Sequence, residues 1–440
     1  MKKILTVALV AMSAILVSCN QKETLLPAGN GEEVFEQSFN VLEEGEVSGA
    51  ELFSDVTAGL QDQVDPEVYE QLLNTFNASD AKLISEDPQT KAIVPALYKT
   101  ARVEYQTLDQ DNQPVTASAL IVYPLFKKIK EVMLINHGTH IGFMLIPTQY
   151  TGVEGIMAAT GALCIMPDYI GLGASKNHPD LYLNHEVHGT TSIDALLTLL
   201  DYAKAKRLPL VQNYKTYILG YSQGGSVSLA SLRELQRRDK ATQDRVRLEK
   251  VFCGDGPYDL RRTFETYVED YNNGKKIGLG TVIPLVINSM FNSYPEELAD
   301  MKYEDFFTPW ALKTGVPQAI RANKEGIIDM ILKFSGKSLA DILNMDYIEA
   351  RPDHLERLLS VMDRQNLCVG WQPEYKLKLL HSNPDEVVPF SNFEEAYANL
   401  NNELMETEVL NINTKILSEP LLQHINGMVV MLGEVLLGEI

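Results

Sequence analysis

Short apolar runs recur along the middle and the end of the chain, and each of them ends in a turn. They are EVMLINHG, GALCIMPDY, KTYILGYS, LEKVFCGDG, YKLKLLHSNPDE and METEVLNIN. Several are apolar on successive positions, which is typical of parallel strands covered on both faces. Two earlier runs, ALYKTARVEYQTLD and PVTASALIVYP, flank the polar turn QDNQ and predict a pair of strands.

Segments with helical spacing separate several of these strands. The clearest are TTSIDALLTLLDYAKA and SVSLASLRELQRR. Strands that alternate with helices predict an α/β fold with a doubly wound, mostly parallel sheet. We assign this core to residues 96–257 and 367–440.

One interval of the chain contains no clear core strand. Residues 258–366 instead carry helix-like segments such as LRRTFETYVEDY and HLERLLSVMDR. Long structureless loops are uncommon in compact domains. We therefore predict a helical cap inserted into the core.

The first residues have the pattern of a secretory signal. Lys2 and Lys3 precede the apolar run 4–17, which ends at Ser18 and Cys19. The ending LVSC resembles a bacterial lipobox, so residues 1–18 are predicted to be a lipoprotein signal peptide and Cys19 the lipid-bearing residue. A transmembrane helix is the alternative, but the run is short for a span. The predicted location is the bacterial cell envelope, anchored by lipid in the outer membrane on its periplasmic face or at the cell surface.

Residues 19–95 follow the predicted signal and precede the first strand pair. Between Lys22 and Lys82 there is no Lys or Arg, while acidic residues are frequent. The beginning, ETLLPAGNGEE, has the composition of a tether, and DPEVYEQLLNTF has helical spacing behind an Asp-Pro start. We expect a tether followed by packed helices.

The charge and the cysteine content of the chain disfavour several classes of partner and site. The 440 residues carry a formal net charge of −21 and are 45% hydrophobic, enough for a large core. The negative charge argues against nucleic acid and against electrostatic attraction to anionic membranes. Cys164, Cys253 and Cys368 show no C-x-x-C spacing, which disfavours a zinc ribbon or a redox motif. We expect buried free thiols, with one disulfide as the alternative.

The segment YILGYSQGGSV contains the pattern G-x-S-x-G, with Ser222 at its centre. Such a pattern can place a serine on a sharp turn between a strand and a helix, where its hydroxyl is raised above the sheet. A glycine-rich turn with an incidental serine is the alternative. The strand before Ser222 and the helix after it favour a nucleophile.

A serine nucleophile needs a histidine base that is itself oriented by a carboxylate. On such turns the order along the chain is Ser, then the acid, then His. His354, His381 and His424 follow Ser222. His354 lies within a helical pattern of the cap, and only His424 leaves room for an acid on the loop of a preceding strand.

Asp385, in HSNPDEVVP, is the preferred acid. It lies just past a strand end, where open sheets place their functional loops. The adjacent Glu386 is expected to point elsewhere. Asp255, in CGDGP, also follows a strand and is the rival, although its flanking glycines equally suit a plain turn.

An oxyanion hole would require two backbone N–H groups. Gln223, the residue after the nucleophile, is predicted to supply one of them. Thr139, after the strand VMLIN, is the choice for the second, with Gly138 as the alternative. His137 is expected to anchor this loop by a hydrogen bond.

Other motifs do not support a metal or a cofactor. In His185-Glu186-Val187-His188 the histidines are three positions apart and lack a third ligand nearby. The segment Gly171-Leu172-Gly173 lacks the third glycine of a dinucleotide loop. No metal and no cofactor is predicted, and Asp168 is expected to hold a turn.

Six segments together resemble the secretory lipase branch of the α/β-hydrolase superfamily. They are NHGTH, IMPDYIGLGAS with NHPDLYL, GYSQGG, GDGPYDL and NPDEVVPFSNFEEAY, and the resemblance covers roughly residues 97–430 but not residues 20–95. It implies an esterase or lipase that uses Ser222, Asp385 and His424 beneath a helical cap. The implied substrate is a small-molecule or lipid ester, which an acyl-enzyme mechanism would hydrolyse.

Two other functions stay open. A serine peptidase of the prolyl oligopeptidase or aminopeptidase type would share the fold, although no propeller-like repeat precedes the catalytic region. A non-catalytic surface-binding lipoprotein is a different class, but such a protein has no need to retain all three residues of a triad.

Overall fold

The computed structural model describes most of the predicted core and cap. The described residues are 39–48, 97–125, 128–139, 146–149, 161–275, 280, 282–322, 332–334, 337–411, 424, 427, 428, 430–432 and 435. The predicted signal peptide, Cys19 and the helices expected before residue 96 lie outside them.

Nine strands of the described residues form one sheet. They are β1 (Phe39–Ser48), β2 (Leu97–Leu108), β3 (Pro114–Pro124), β4 (Ile129–Asn136), β5 (Leu163–Pro167), β6 (Leu210–Tyr221), β7 (Leu248–Gly254), β8 (Lys376–Asn383) and β9 (Met405–Asn411). Their order across the sheet is β1-β2-β3-β5-β4-β6-β7-β8-β9. The pairs among β1, β2, β3 and β5 are antiparallel, and the pairs from β5 to β9 are parallel. The prediction of a mostly parallel α/β sheet is confirmed.

Strand β1 differs from the expectation for residues 19–95, where a tether and helices were predicted. It pairs with β2 in antiparallel register, from Phe39 opposite Tyr105. A bulge between Val41 and Glu43 breaks the two-residue period of the strand. Because β1 is an edge strand rich in acidic residues, it lacks the apolar run that revealed the other strands.

The described helices alternate with the parallel strands and also fill the predicted cap. They are α1 (His185–Ala205), α2 (Gln223–Arg237), α3 (Lys240–Val246), α4 (Leu260–Asn272), α5 (Val282–Ser293), α6 (Pro309–Lys313), α7 (Val316–Arg321), α8 (Leu339–Ile342), α9 (Met345–Ala350), α10 (Pro352–Asp363) and α11 (Ser391–Leu400). None of these helices is long and apolar enough to cross a bilayer.

Among the described residues the sheet and the cap are packed by different apolar clusters, and a further cluster around Met133 and Phe252 also belongs to the sheet. One joins the sheet with α1, α2 and α11 and contains Ile121, Leu134 and Leu229. The other lies among α4–α10 and contains Phe264 and Phe306. The segment 258–366 supplies nearly all of this second core, so the helices between β7 and β8 pack mainly against one another.

The three described cysteines are buried free thiols, as predicted. Burial raises the pKa of Cys164, Cys253 and Cys368 above the usual range of a thiol. The thiolate is the reactive form of cysteine, and the raised pKa keeps all three side chains protonated at neutral pH.

Candidate active site

Ser222 occupies the turn between β6 and α2. Its backbone has φ 58° and ψ −124°, a region that few residues other than glycine adopt. Such strain costs on the order of 1–3 kcal/mol and persists only where the surrounding structure fixes it. The N–H of Ser222 donates to the carbonyl of Gly254 at 2.9 Å, which ties the turn to β7. The Ser222 hydroxyl does not cap the helix, and the residue lines a cavity.

Two glycines allow α2 to reach the strand ends. A Cβ on Gly224 would overlap with the carbonyl oxygen of Asn136 at the end of β4. A Cβ on Gly225 would overlap with the carbonyl oxygen of Gly254 at the end of β7. The N-terminus of α2 is therefore held against the sheet, where its dipole favours negative charge.

Asp385 and His424 lie together, although 39 positions separate them. Nδ1 of His424 is 2.7 Å from Oδ2 of Asp385. Oδ1 of Asp385 accepts the N–H groups of Val387 at 2.7 Å and Val388 at 2.9 Å. These bonds fix the carboxylate, which in turn orients the imidazole and leaves Nε2 on its opposite side. Glu386 accepts the backbone N–H of His424 at 3.5 Å, away from the imidazole.

Opposing effects act on the imidazole of His424. Burial favours the neutral ring, but the negative charge and hydrogen bond of Asp385 outweigh it, with a further contribution from Asp255. The net result is a pKa of His424 raised above its ordinary value. The site therefore stabilises the protonated ring, which is the form that a histidine base reaches after it accepts a proton.

Asp255 lies beside this pair at the end of β7, with φ 42°. Its Oδ1 accepts the N–H of Ser382 at 2.7 Å, and its Oδ2 accepts the hydroxyl of Tyr221. Nδ1 of His381 is 3.4 Å from Oδ1, without the alignment of a hydrogen bond. Nδ1 of His424 is 4.0 Å from Oδ2. The structure thus brings both candidate acids close to His424, with Asp385 at hydrogen-bond distance.

Burial dominates the electrostatics of the Asp255–His381 pair. It raises the pKa of Asp255 to about 6 and lowers the pKa of His381. At neutral pH the carboxyl is therefore charged and the imidazole neutral. Among the described residues this inner pair has no opening to the cavity, since both side chains are fully buried.

Asp255, Asp385 and His424 also have the spacing of a metal site, since one ligand atom from each lies within 4.8 Å of the others. All four carboxylate oxygens already accept hydrogen bonds from protein groups. A metal ion would have to displace some of these bonds. Hydrogen bonds within the protein are therefore sufficient to explain why these three side chains lie close together.

A cavity opens beside Ser222. Most of its lining is apolar: Tyr182, Leu183, Pro257, Leu260, Thr263, Phe264, Tyr267, Val282, Ile283, Val286, Ile287, Met362, Val387 and Val388. Tyr267 donates its hydroxyl to the carbonyl of Val387 at 2.6 Å, and the hydroxyls of Tyr182 and Thr139 lie 2.8 Å apart. These partners satisfy the tyrosine hydroxyls, so the tyrosines present mainly ring carbon to the cavity.

The residues predicted for the oxyanion hole lie at the same edge of the sheet. Gln223 is the first residue of α2, and Thr139 lies three positions beyond β4. Strands β4 and β6 are neighbours, with Asn136 opposite Gly220 in the register. A Cβ on Gly138 would lie 3.6 Å from the carbonyl of Tyr221. The two predicted donors therefore flank the Ser222 turn.

Sequence reasoning missed three residues that connect the acid–histidine pairs: Tyr221, Ser382 and Gly427. The ring of Tyr221 lies 5.1 Å from that of His424, and its hydroxyl is 3.0 Å from the hydroxyl of Ser382. A Cβ on Gly427 would overlap with both hydroxyls. The only signal in the sequence was a small residue soon after His424.

The remaining motif residues serve packing. Nδ1 of His185 lies 2.5 Å from the carbonyl of Gln365, while Glu186 forms an ion pair with Arg233 at 3.0 Å. Burial lowers the pKa of His185 to about 4 and that of His188 to about 3. The ring of His188 stacks on that of Tyr169 with centroids 4.6 Å apart, so each of the three side chains contacts a different residue.

The other residues placed by sequence have structural partners. Asp168 accepts the hydroxyl of Ser118 at 2.6 Å and the N–H of Thr148 at 3.2 Å, so it holds its turn as expected. Nδ1 of His137 lies 2.7 Å from the carbonyl of Gly138, within the loop it was predicted to anchor.

The fold has clear counterparts among solved structures, although no family model and no curated protein matches the chain. The rice cell wall degrading esterase LipA from Xanthomonas oryzae superimposes with a TM-score of 0.64 and 18% identity, over 92% of this chain and 96% of that one. A ligand-bound form of the same esterase gives 0.63 and 18%, over 93% and 97%. Candida antarctica lipase A in its closed state gives 0.53 and 15%, over 72% and 73%. The chain therefore has the α/β-hydrolase fold, and the structures it resembles are esterases and lipases of that fold.

Proposed function

We propose that the protein is a serine carboxylic ester hydrolase that acts through an acyl-enzyme intermediate. The observation that carries the proposal is the pairing of Asp385 and His424 at 2.7 Å, next to a cavity that Ser222 lines from a strained turn. Nucleophile, orienting acid and base then follow one another in the chain order of this fold. Esterases and lipases among the structural neighbours support the same class of reaction.

The reaction follows from these assignments. Nε2 of His424 accepts the proton of the Ser222 hydroxyl while Oγ attacks the ester carbonyl carbon. The oxyanion receives hydrogen bonds from the N–H groups of Gln223 and Thr139, or of Gly138 in place of Thr139. When the intermediate collapses, the imidazolium gives its proton to the departing alkoxide, and the acyl group stays on Ser222. A water molecule activated by the same base then releases the acid.

The cavity indicates an apolar acyl group as the part of the ester that is bound. Among the described residues of its lining none is charged, and α4 and α5 contribute several apolar side chains. A peptidase that recognises a free amino or carboxyl terminus needs a charged group at that point, so the lining disfavours the aminopeptidase alternative. A small-molecule or lipid ester is the substrate we propose, with a lipid, a carbohydrate O-acyl group and a phenolic ester as the classes to compare.

Ser222 provides the direct test of the function. The protein without residues 1–19 should hydrolyse esters, be labelled by a fluorophosphonate at Ser222, and lose both properties as Ser222→Ala with an unchanged thermal unfolding curve. Ser231→Ala is a matched control on α2, because among the described residues its hydroxyl bonds to the carbonyl of Val227 within the helix. Labelling of another serine would refute the assignment, and cleavage of amides but not of esters would favour a peptidase.

Attachment to the envelope is a separate proposal that rests on Cys19. The lipobox-like residues before it support a lipid anchor, and the net charge of −21 disfavours adsorption to anionic lipid. Cys19→Ala should leave the full chain without lipid, and detergent-phase partitioning should then decrease. Unchanged partitioning would contradict the anchor.

A further inference from the structure

Asp255 is a second carboxylate near His424, and the proposed reaction assigns it no task. Its Oδ2 lies 4.0 Å from Nδ1 of His424, too far for a hydrogen bond but close enough for a substantial charge–charge interaction in a buried site. Asp255 approaches from the end of β7, whereas Asp385 approaches from the loop after β8. The imidazole thus faces negative charge from two different strands.

The orientation of the Asp255 carboxylate is fixed. The N–H of Ser382 donates to Oδ1 at 2.7 Å, and the Tyr221 hydroxyl donates to Oδ2. The same hydroxyl lies 3.0 Å from Oγ of Ser382, so the three side chains form one buried network. Asp255 also has φ 42°, a strained backbone conformation for a residue other than glycine, and such strain is concentrated at functional sites.

Asp255 has no permanent counter-ion among the described residues. No Lys or Arg nitrogen of this part of the chain comes within ion-pair distance of it, and its only such partners are histidines. The titratable groups that surround it are Tyr221 on β6, Tyr258 after β7, His381 on β8, Asp385 and Glu386 on the following loop, and His424. Because burial lowers the pKa of His381, the proton that His424 acquires is the positive charge available to Asp255.

We propose that Asp255 is a positioning residue for ester hydrolysis: its fixed, buried charge stabilises the protonated ring of His424 that forms when Ser222 attacks. This inference rests on the proposed function, since it gives His424 the role of base. Asp255 takes no proton in the step; the proton moves from Oγ of Ser222 to Nε2 of His424. Asp385 sets the tautomer through its hydrogen bond, and Asp255 acts through its charge.

The sign of the expected effect follows from the two titrations. Burial raises the pKa of Asp255 to about 6, so the carboxylate is charged above that pH and favours the protonated form of His424. Removing the charge lowers the pKa of His424. The acidic limb of the kcat/KM profile, which reports the free base, should then move to lower pH.

The experiment compares Asp255→Asn with Asp385→Asn in the protein without residues 1–19. An amide at position 255 can still accept the N–H of Ser382, so the change removes charge while it keeps volume. We expect the imidazole NMR titration of His424, assigned by its loss in His424→Ala, and the acidic limb to move to lower pH. On the alkaline plateau kcat should fall about tenfold, against a loss of about 10⁴-fold when the orienting acid of a triad becomes an amide.

Each other outcome has a defined meaning. An unchanged His424 titration would overturn the proposal, and a loss as large as that of Asp385→Asn would make Asp255 the orienting acid instead. Asp255→Ser, which is also neutral, should shift the titration in the same direction; if neither variant folds at neutral pH, Asp255 is structural and the proposal fails. Absence of fluorophosphonate labelling at Ser222 in the unaltered protein would refute the proposed function and with it the role of Asp255 in hydrolysis. The NMR titration would still measure the charge coupling between Asp255 and His424, because it requires no catalysis.

Discussion

Two acid–histidine pairs lie at the carboxyl ends of neighbouring strands, and they differ in geometry and burial. Nδ1 of His424 is 2.7 Å from Oδ2 of Asp385, and the His424 side chain retains 9% exposure. Nδ1 of His381 is 3.4 Å from Oδ1 of Asp255, and both side chains have 0% exposure. Val387 and Val388, whose N–H groups donate to Asp385, line the cavity, whereas Asp255 and His381 are fully enclosed.

The difference shows how the balance of burial and nearby carboxylates sets the pKa of each histidine. The pKa of His424 is raised because the surrounding carboxylates outweigh burial, whereas burial prevails at His381 and lowers its pKa. A histidine that is neutral and enclosed cannot exchange a proton with a substrate. A histidine with a fixed carboxylate on one nitrogen can do so through the other.

The largest expected effect on kcat comes from loss of the Asp385–His424 pair. Asp385→Ala and His424→Ala should each lower kcat by about 10⁴-fold, because a serine without an oriented base is a weak nucleophile. The double variant should lose little more, since the two residues act as a unit. Steady-state kinetics with a chromogenic ester measures this ranking. Full activity of His424→Ala would assign the base to His381, and full activity of Asp385→Ala would assign the acid to Asp255.

A smaller effect is expected where the two pairs meet. In Gly427→Ala the new methyl group would overlap with the hydroxyls of Tyr221 and Ser382 and would displace the backbone that carries His424. Displacement of a catalytic group by about 1 Å can cost about 100-fold, so we expect kcat to fall about 10- to 100-fold with KM little changed. The double variant Gly427→Ala with Ser382→Gly, which removes one of the two hydroxyls, should recover part of the rate. No change in kcat would show that the segment tolerates the shift.

The inner histidine should matter more for stability than for rate. Its ring packs against Phe390 and Phe393, with centroids 5.3 Å and 6.0 Å away. His381→Ala should therefore leave a cavity and lower the free energy of unfolding by about 2–4 kcal/mol. Activity of the folded protein should stay within about tenfold of the unaltered protein. Urea denaturation and kinetics on one preparation separate the two quantities, and a loss near 10⁴-fold would give His381 the role of base.

The charge of Asp255 should reduce stability at neutral pH. Its folded pKa is about 6 against an ordinary value of 3.8, so the folded state holds the proton more tightly and stability falls as pH rises from about 4 to 6. Asp255→Asn removes this loss and should raise the free energy of unfolding above pH 6 by about 1–3 kcal/mol. At pH 4 the two proteins should differ little. Equal stability of the two proteins at pH 8 would contradict this account.

The local parts of the site could be predicted from sequence. Apolar runs that end in turns located β2 to β9, and small residues after Ser222 indicated a helix pressed against a sheet. Chain order selected Asp385 and His424, which the structure places at hydrogen-bond distance. Each of these signals depends on a few consecutive residues or on their order.

The contacts between distant segments could not be predicted. Asp255 was considered only as a rival to Asp385, but the fold places both beside His424 because β7 and β8 are neighbours in the sheet. The hydroxyls of Tyr221 and Ser382 meet across 161 positions of sequence. No periodicity or local motif marks such a pair, since its geometry is set by strand order and by the approach of Gly427.

Backbone hydrogen bonds of the sheet include both residues with strained backbones, Ser222 and Asp255. The N–H of Ser222 bonds to the carbonyl of Gly254, and the N–H of Asp255 bonds to that of Leu380, each on the next strand. The cavity wall, by contrast, comes largely from α4 and α5 in the segment inserted between β7 and β8. Changes in the inserted helices would therefore reshape the cavity wall, while backbone bonds of the sheet keep Ser222 and Asp255 in place.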